Sequence, residues 1–174
     1  MIDFIGQPQL TPDDDGDVYA GFGRAESDAE LYERLAPELI RFAVTLVGPS
    51  DAEDLLGSAV VQAISSPRWL AIENKRAYLY RVLTNEAHST HRSRSRRRER
   101  ELRTYRRDDF EHELVDPTLM TALRTLTVRQ RAVIYLTYWD DLAPEQIATT
   151  LDTSLRTVER DLTNARNRLE ATLS

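Results

Sequence analysis

The sequence predicts an all-α protein of two small helical domains joined by a flexible linker. Three observations carry that prediction. Apolar residues recur at helical spacing through most of the chain from Ser27 onward. No pair of stretches alternates with period two across a turn, so no strand pairing is credible. An acidic, non-periodic stretch, Asp108 to Asp116, separates the two helical groups. A chain of 174 residues is long enough for two such cores, each near the lower size for independence.

Residues 1–26 read as an acidic disordered tail. Gly6, Pro8, Pro12, Gly16, Gly21 and Gly23 surround an aspartate cluster, a composition that buries little apolar surface. Such a tail is either solvated or a shield for basic surface elsewhere in the chain. The first domain, 27–105, opens at Ser27-Asp28-Ala29-Glu30, a capping box. Leu31, Leu35, Leu39, Phe42 and Leu46 then hold one face to Gly48, with a kink or restart expected at Pro37. A second capping box, Ser50-Asp51-Ala52-Glu53, begins a helix whose buried side is Leu55, Leu56, Ala59, Ala63 and Ile64. The loop Ser65 to Asn74 carries one large aromatic, Trp69. From Lys75 a long helix follows, with Leu79, Leu83 and Ala87 on its core face. Past His91 it turns almost wholly basic.

Residues 106–116 form the linker, and 117–174 the second domain. Leu119, Met120, Leu123 and Leu126 mark a short amphipathic helix. Thr127 caps the next, which holds Val133, Ile134, Leu136, Tyr135, Tyr138 and Trp139 and is broken by Asp140-Asp141. Leu142 to Leu169 then reads as a helix-turn-helix. Pro144 sits in the first turn of the leading helix, where a missing N–H costs nothing. Asp152-Thr153-Ser154 makes the turn, with Ser154 as cap. Val158, Leu162, Ala165 and Leu169 bury one stripe of the second helix and leave polar positions outward. That arrangement suits a reader of DNA.

Several function classes are excluded. There is no cysteine, hence no disulfide, thiol nucleophile or Cys-ligated zinc, which fits a reducing cytoplasm. No apolar run reaches the ~18 residues of a membrane span, and the N-terminus lacks a signal-peptide pattern. Neither a glycine-rich phosphate loop nor a metal-binding spacing is present, so no enzyme, cofactor or metal is expected. His88 and His91 lack a nearby carboxylate to complete a site, and the acid pairs Glu53-Asp54 and Asp140-Asp141 read as surface residues at helix ends.

Nucleic acid is the partner that the charge pattern favours. The net charge of −6 conceals segregation: residues 1–30 hold eight acids and one base, residues 75–107 twelve bases and three acids. The helix from Lys75 interleaves Lys75, Arg76 and Arg81 with Tyr78 and Tyr80, and adds Asn85 and His88 on later turns. Phosphate anchors, amide readout and stacking surfaces together suit unpaired bases. The alternative is that a tyrosine is core and the arginines are only solvated.

In order, DAEDLL on a helix, a loop, AYLYRVLTNEAH with a basic tail, an acidic linker and a C-terminal helix-turn-helix resemble the extracytoplasmic-function sigma factors of bacterial RNA polymerase, in the sigma-70 superfamily. The resemblance spans Ser27 to Leu173. It implies that the first domain is sigma region 2 and the second is sigma region 4. It implies that the DAEDLL helix docks on the clamp helices of the polymerase largest subunit through Asp51, Glu53, Asp54, Leu55 and Leu56. It implies −10 recognition by the loop around Trp69 and by Lys75, Arg76, Tyr78, Arg81, Asn85 and His88. It implies −35 recognition by Arg156, Thr157, Glu159, Arg160, Thr163, Asn164 and Arg166. Region 4 would also meet the flap of the second-largest subunit. The implied location is cytoplasmic, at the nucleoid when polymerase-bound, and an anti-sigma partner lying between the modules is usual.

This chain departs from the family pattern in places. Gly57-Ser58 stands where Gln and an acid usually follow DAEDLL, and a mid-helix glycine costs about 1 kcal/mol relative to alanine. Glu159 and Asp161 put carboxylates where bases are common, near the expected phosphates. The second domain holds seven bases and seven acids, so its own attraction to DNA should be weak and dependent on tethering. A polymerase-independent helix-turn-helix regulator and a degenerate sigma acting as an interaction protein remain the alternatives at this point.

Overall fold

The computed structural model describes residues 26–98 and 117–173. Most of the acidic tail and the whole linker lie outside the described residues. All regular structure among the described residues is helical. The N-terminal group is α1 (Asp28–Val47), α2 (Pro49–Ile64), a 3-10 turn (Trp69–Ala71) and α3 (Lys75–Arg98). The C-terminal group is α4 (Pro117–Arg124), α5 (Val128–Tyr138), α6 (Pro144–Thr150) and α7 (Leu155–Leu173).

The predicted box at Ser27 forms: Ser27 Oγ accepts from the Glu30 N–H, and Glu30 Oε2 accepts from the Ser27 N–H at 2.8 Å. No restart occurs at Pro37, because α1 is one helix of 20 residues. Pro37 is exposed, so its ring sits on the solvent side, where water can serve the carbonyl left without its helical donor. The box predicted at Ser50 does not form. Gly48, at φ +90° in a region that side chains disfavour, ends α1 and leads directly into Pro49 at the first position of α2.

Small residues set the packing of α2. Ala52, Ala59 and Ala63 are fully buried beside Leu55 and Leu56, letting α1 and α3 approach closely. Ile64, expected inside, is 43% exposed.

The two helical domains expected from the sequence pack against each other. α5 buries Val128, Ala132, Val133, Ile134, Tyr135 and Leu136, which between them cover more than one side of the helix. One side meets α7 and α6, and the other meets α1 and α3. Phe42 stands edge-on to Tyr80 at 4.6 Å and to Tyr135 at 5.0 Å, so an aromatic cluster bridges the groups. Arg131 adds a polar tie. Its guanidinium donates to the Leu46 carbonyl near the end of α1 (2.6 Å) and to the Leu123 and Arg124 carbonyls at the end of α4 (2.8 and 3.2 Å). A planar fork thus serves carbonyls at two helix C-termini.

The helix-turn-helix is as predicted. Thr153 N–H donates to the Ala148 carbonyl at 2.9 Å, Asp152 takes a positive φ of 52°, and Ser154 Oγ accepts from the Thr157 N–H at 3.2 Å. Val158, Leu162 and Ala165 are buried, and Leu169 packs against them.

Candidate nucleic-acid interface

The first turns of α3 hold most of the bases expected to meet unpaired DNA, and each is already engaged. Lys75 Nζ lies 3.0 Å from Asp28 Oδ1 and 4.7 Å from the Trp69 ring centre. Arg76 is ion-paired with Glu38 of α1, lies 2.7 Å from Asp140 Oδ2 just beyond α5, and donates to the Tyr80 hydroxyl at 3.2 Å. Arg81 covers the Tyr78 ring at 5.1 Å and reaches Asp152 in the helix-turn-helix turn at 3.3 Å. Asn85 and His88, further along, are exposed. The basic run beyond His91 lies outside the described side chains.

Burial, and then the Asp140 carboxylate beside it, push the Tyr80 phenol far above its ordinary range, so it stays neutral. Tyr80 is fully buried and offers no stacking face, while Tyr78 is half-buried against Trp69. Asp140 is no surface residue either: its side chain is only 8% exposed.

Trp69 does not face outward. It is 3% exposed, wedged between α1, Lys75 and Tyr78, and its neighbour Leu70 is 89% exposed instead. The tryptophan therefore anchors the loop, and Leu70 is the residue the loop presents. An indole that large finds more stabilisation inside than on a loop tip.

The outward face of α7 matches its expected membership. Arg156, Glu159, Arg160, Thr163, Asn164 and Arg166 are exposed, and Thr157 is half-buried beside Ser154. Arg166 Nε donates to the Tyr138 hydroxyl at 2.9 Å. Asp161 is a correction. It is 5% exposed and ion-paired with Arg129, with Arg160 at 3.9 Å, so it does not face phosphates. Its place was legible, since it falls three residues after Val158 and four before Ala165, on the buried side.

The expected polymerase-docking set also divides. Leu55 and Leu56 are each 5% exposed and belong to the core. Glu53 and Asp54 are exposed and Asp51 is half-buried. The same surface continues through Gly57, Ser58 and Val61, which is 66% exposed. A Cβ at Gly57 would meet nothing within 4 Å, and nothing in the structure explains why glycine stands there.

Comparison with known proteins agrees along both groups. The sigma-70 region 2 family model matches residues 31–97, and the sigma-70 region 4 model matches residues 118–169. The RNA polymerase sigma-E factor of Streptomyces coelicolor is 35% identical over 142 residues, covering 78% of this chain and 79% of the relative. That of Streptomyces avermitilis is 35% identical over 142 residues, covering 78% of each. Among solved structures, the sigma factor RpoE of Bartonella quintana, in complex with the anti-sigma factor NepR, shares the fold. The TM-score is 0.66 at 24% identity, covering 83% of this chain and 95% of that one.

Proposed function

Because the chain belongs to the sigma-70 family as an extracytoplasmic-function sigma factor, we propose a division of its surface among three contacts of transcription initiation. As an alternative sigma factor it binds core RNA polymerase and promoter DNA and initiates transcription. In our reading the exposed side of α2, from Asp51 through Glu53 and Asp54 to Val61, docks on the clamp helices of the largest subunit. The face of α3 with Lys75, Arg76, Tyr78, Arg81, Asn85 and His88 captures unpaired −10 bases, with Leu70 taking the place expected of Trp69. The outward face of α7 enters the −35 major groove, while the C-terminal module rests on the flap of the second-largest subunit.

The observation that carries this reading is the sidedness of α7. Val158, Leu162 and Ala165 are buried, while Arg156, Arg160, Thr163 and Asn164 stand exposed behind a capped turn. A helix so divided offers side chains of the kind that reach base edges. The polar rows on α2 and α3 then account for polymerase and strand capture. An anti-sigma partner of the kind bound by the Bartonella neighbour would compete for these faces.

Run-off transcription with purified core polymerase and a genomic fragment library tests the reading. Specific start sites should appear with the wild-type chain. They should weaken for Asn164→Ala in proportion to loss of −35 binding. Start sites indifferent to every exposed substitution on α7 would remove −35 reading from that helix.

A further inference from the structure

The geometry points to Tyr138, at the end of α5 and outside the helix-turn-helix, as a positioning residue for the −35 contact. Its ring and hydroxyl hold the Arg166 guanidinium of α7 as a preset anchor for a backbone phosphate of duplex DNA. The inference rests on the reading of α7 as the −35 face and deepens it. Arg166 Nε donates to the Tyr138 hydroxyl at 2.9 Å, and the guanidinium carbon lies 5.8 Å from the centre of that ring. Two contacts on different atoms of one planar group fix both its place and its tilt. Tyr138 is 56% exposed and Arg166 is exposed, so the pair stands open to a ligand.

The partner matters because it carries no charge. Arg129 is ion-paired with Asp161, and Arg131 gives its donors to helix carbonyls. Arg168 donates to the Thr125 carbonyl at 3.2 Å, and Arg160 lies 3.9 Å from Asp161. Among the described residues no carboxylate pairs with Arg166. A hydroxyl orients the guanidinium through Nε and leaves both Nη groups, with the whole positive charge, for an anion. The module holds seven bases and seven acids, so its net charge supplies no diffuse attraction to DNA. A fixed and uncompensated arginine then counts for more than one base among seven.

The position of Arg166 selects a phosphate rather than a base edge. It follows Arg156 by about 15 Å along the helix, at roughly 1.5 Å per residue. The major groove is about 12 Å wide, and a recognition helix reads bases from its leading turns. Arg166 also falls one turn beyond the buried Leu162, on the flank of the polar face beside the core. A side chain that far along, and to that side, meets the wall of the groove, where the phosphates run. Ordering a free arginine on binding weakens affinity by about two- to tenfold, and a side chain already held avoids most of that loss.

Holoenzyme binding to a labelled promoter fragment recovered by run-off transcription, in the cold where the duplex stays closed, tests the inference. Arg166→Ala should weaken binding by about fivefold or more. It should also lower the slope of log affinity against log salt by about 1. Arg166→Lys should keep the wild-type slope but lose about two- to tenfold in affinity, because the charge survives and the Nε–H does not. Tyr138→Phe keeps the ring, should leave the melting temperature nearly unchanged, and should lose about two- to tenfold in affinity. In the Arg166→Ala background the same change should cost nothing further. A neutral methylphosphonate in place of one −35 phosphate should weaken binding by the wild type and leave Arg166→Ala indifferent. Wild-type affinity for Tyr138→Phe, equal losses from it with and without Arg166, or no methylphosphonate that separates wild type from Arg166→Ala overturns the inference. The reading beneath it is tested separately by Asn164→Ala. If that variant loses −35 binding while Tyr138→Phe does not, the −35 reading stands and only the inference falls. Wild-type binding by Asn164→Ala and Arg166→Ala alike would remove both.

Discussion

The Arg76 guanidinium on α3 meets the Asp140 carboxylate beyond α5 across 2.7 Å, joining residues 64 positions apart in the chain. The Asp140 side chain is almost wholly buried, whereas that of Arg76 is about one-third exposed and shared with Glu38. Losing the acid leaves Arg76 a single carboxylate partner, Glu38, beside the Tyr80 hydroxyl, so Asp140→Ala should cost about 1–2 kcal/mol of stability. A double-mutant cycle with Arg76→Ala should return a coupling of about 1 kcal/mol in urea unfolding. A coupling near zero would rank the pair with ordinary surface ion pairs.

Trp69 and Leu70 are neighbours with opposite fates, and their substitutions should separate stability from function. Trp69→Ala removes a buried indole and should cost about 3–5 kcal/mol. Leu70→Ala lies on an exposed turn and should change stability by under about 0.5 kcal/mol. It should nonetheless slow open-complex formation, which permanganate footprinting of unpaired thymines would report. Equal footprints for wild type and Leu70→Ala would take the loop out of base capture.

What the sequence disclosed, and what it hid, follows from the range of the interactions. Helix faces, the caps at Ser27, Thr127 and Ser154, and the helix-turn-helix are local, so periodicity and turn chemistry reveal them. Closure of one module on the other depends on pairs such as Arg131 with Leu46 and Arg81 with Asp152, 85 and 71 residues apart. No local pattern encodes such pairs. The family resemblance assigns Trp69 to a DNA-facing loop and Leu55 and Leu56 to a docking set because it names regions, while burial is decided atom by atom; the periodicity of α2 already puts both leucines on its buried side. Asp161 is a similar case, since its spacing to Val158 and Ala165 already placed it inward.

Asp161 gives a prediction opposite in sign to the one its charge suggests. Were it facing phosphates, Asp161→Asn would strengthen DNA binding. Buried against Arg129, it should instead destabilise the C-terminal module by about 2–3 kcal/mol, because the arginine is left without its counter-charge. Replacing both partners by leucine should recover much of that loss. Thermal unfolding of the single and double variants decides between the two placements.

The α2 surface allows docking to be separated from folding. Leu55→Asp would place a charge in the core, so a loss of polymerase capture with that variant would report unfolding rather than the interface. Glu53→Lys and Val61→Asp alter exposed positions and should leave the melting temperature nearly unchanged. Each should reduce pull-down of core polymerase if the docking reading holds. Gly57→Ala adds a Cβ into open space and should raise stability by about 1 kcal/mol through helix propensity alone. Its effect on pull-down then asks why glycine stands there. Weaker capture would mean that the polymerase surface approaches the α2 backbone too closely for a side chain. Unchanged or stronger capture would mean that the glycine contributes nothing to the contact.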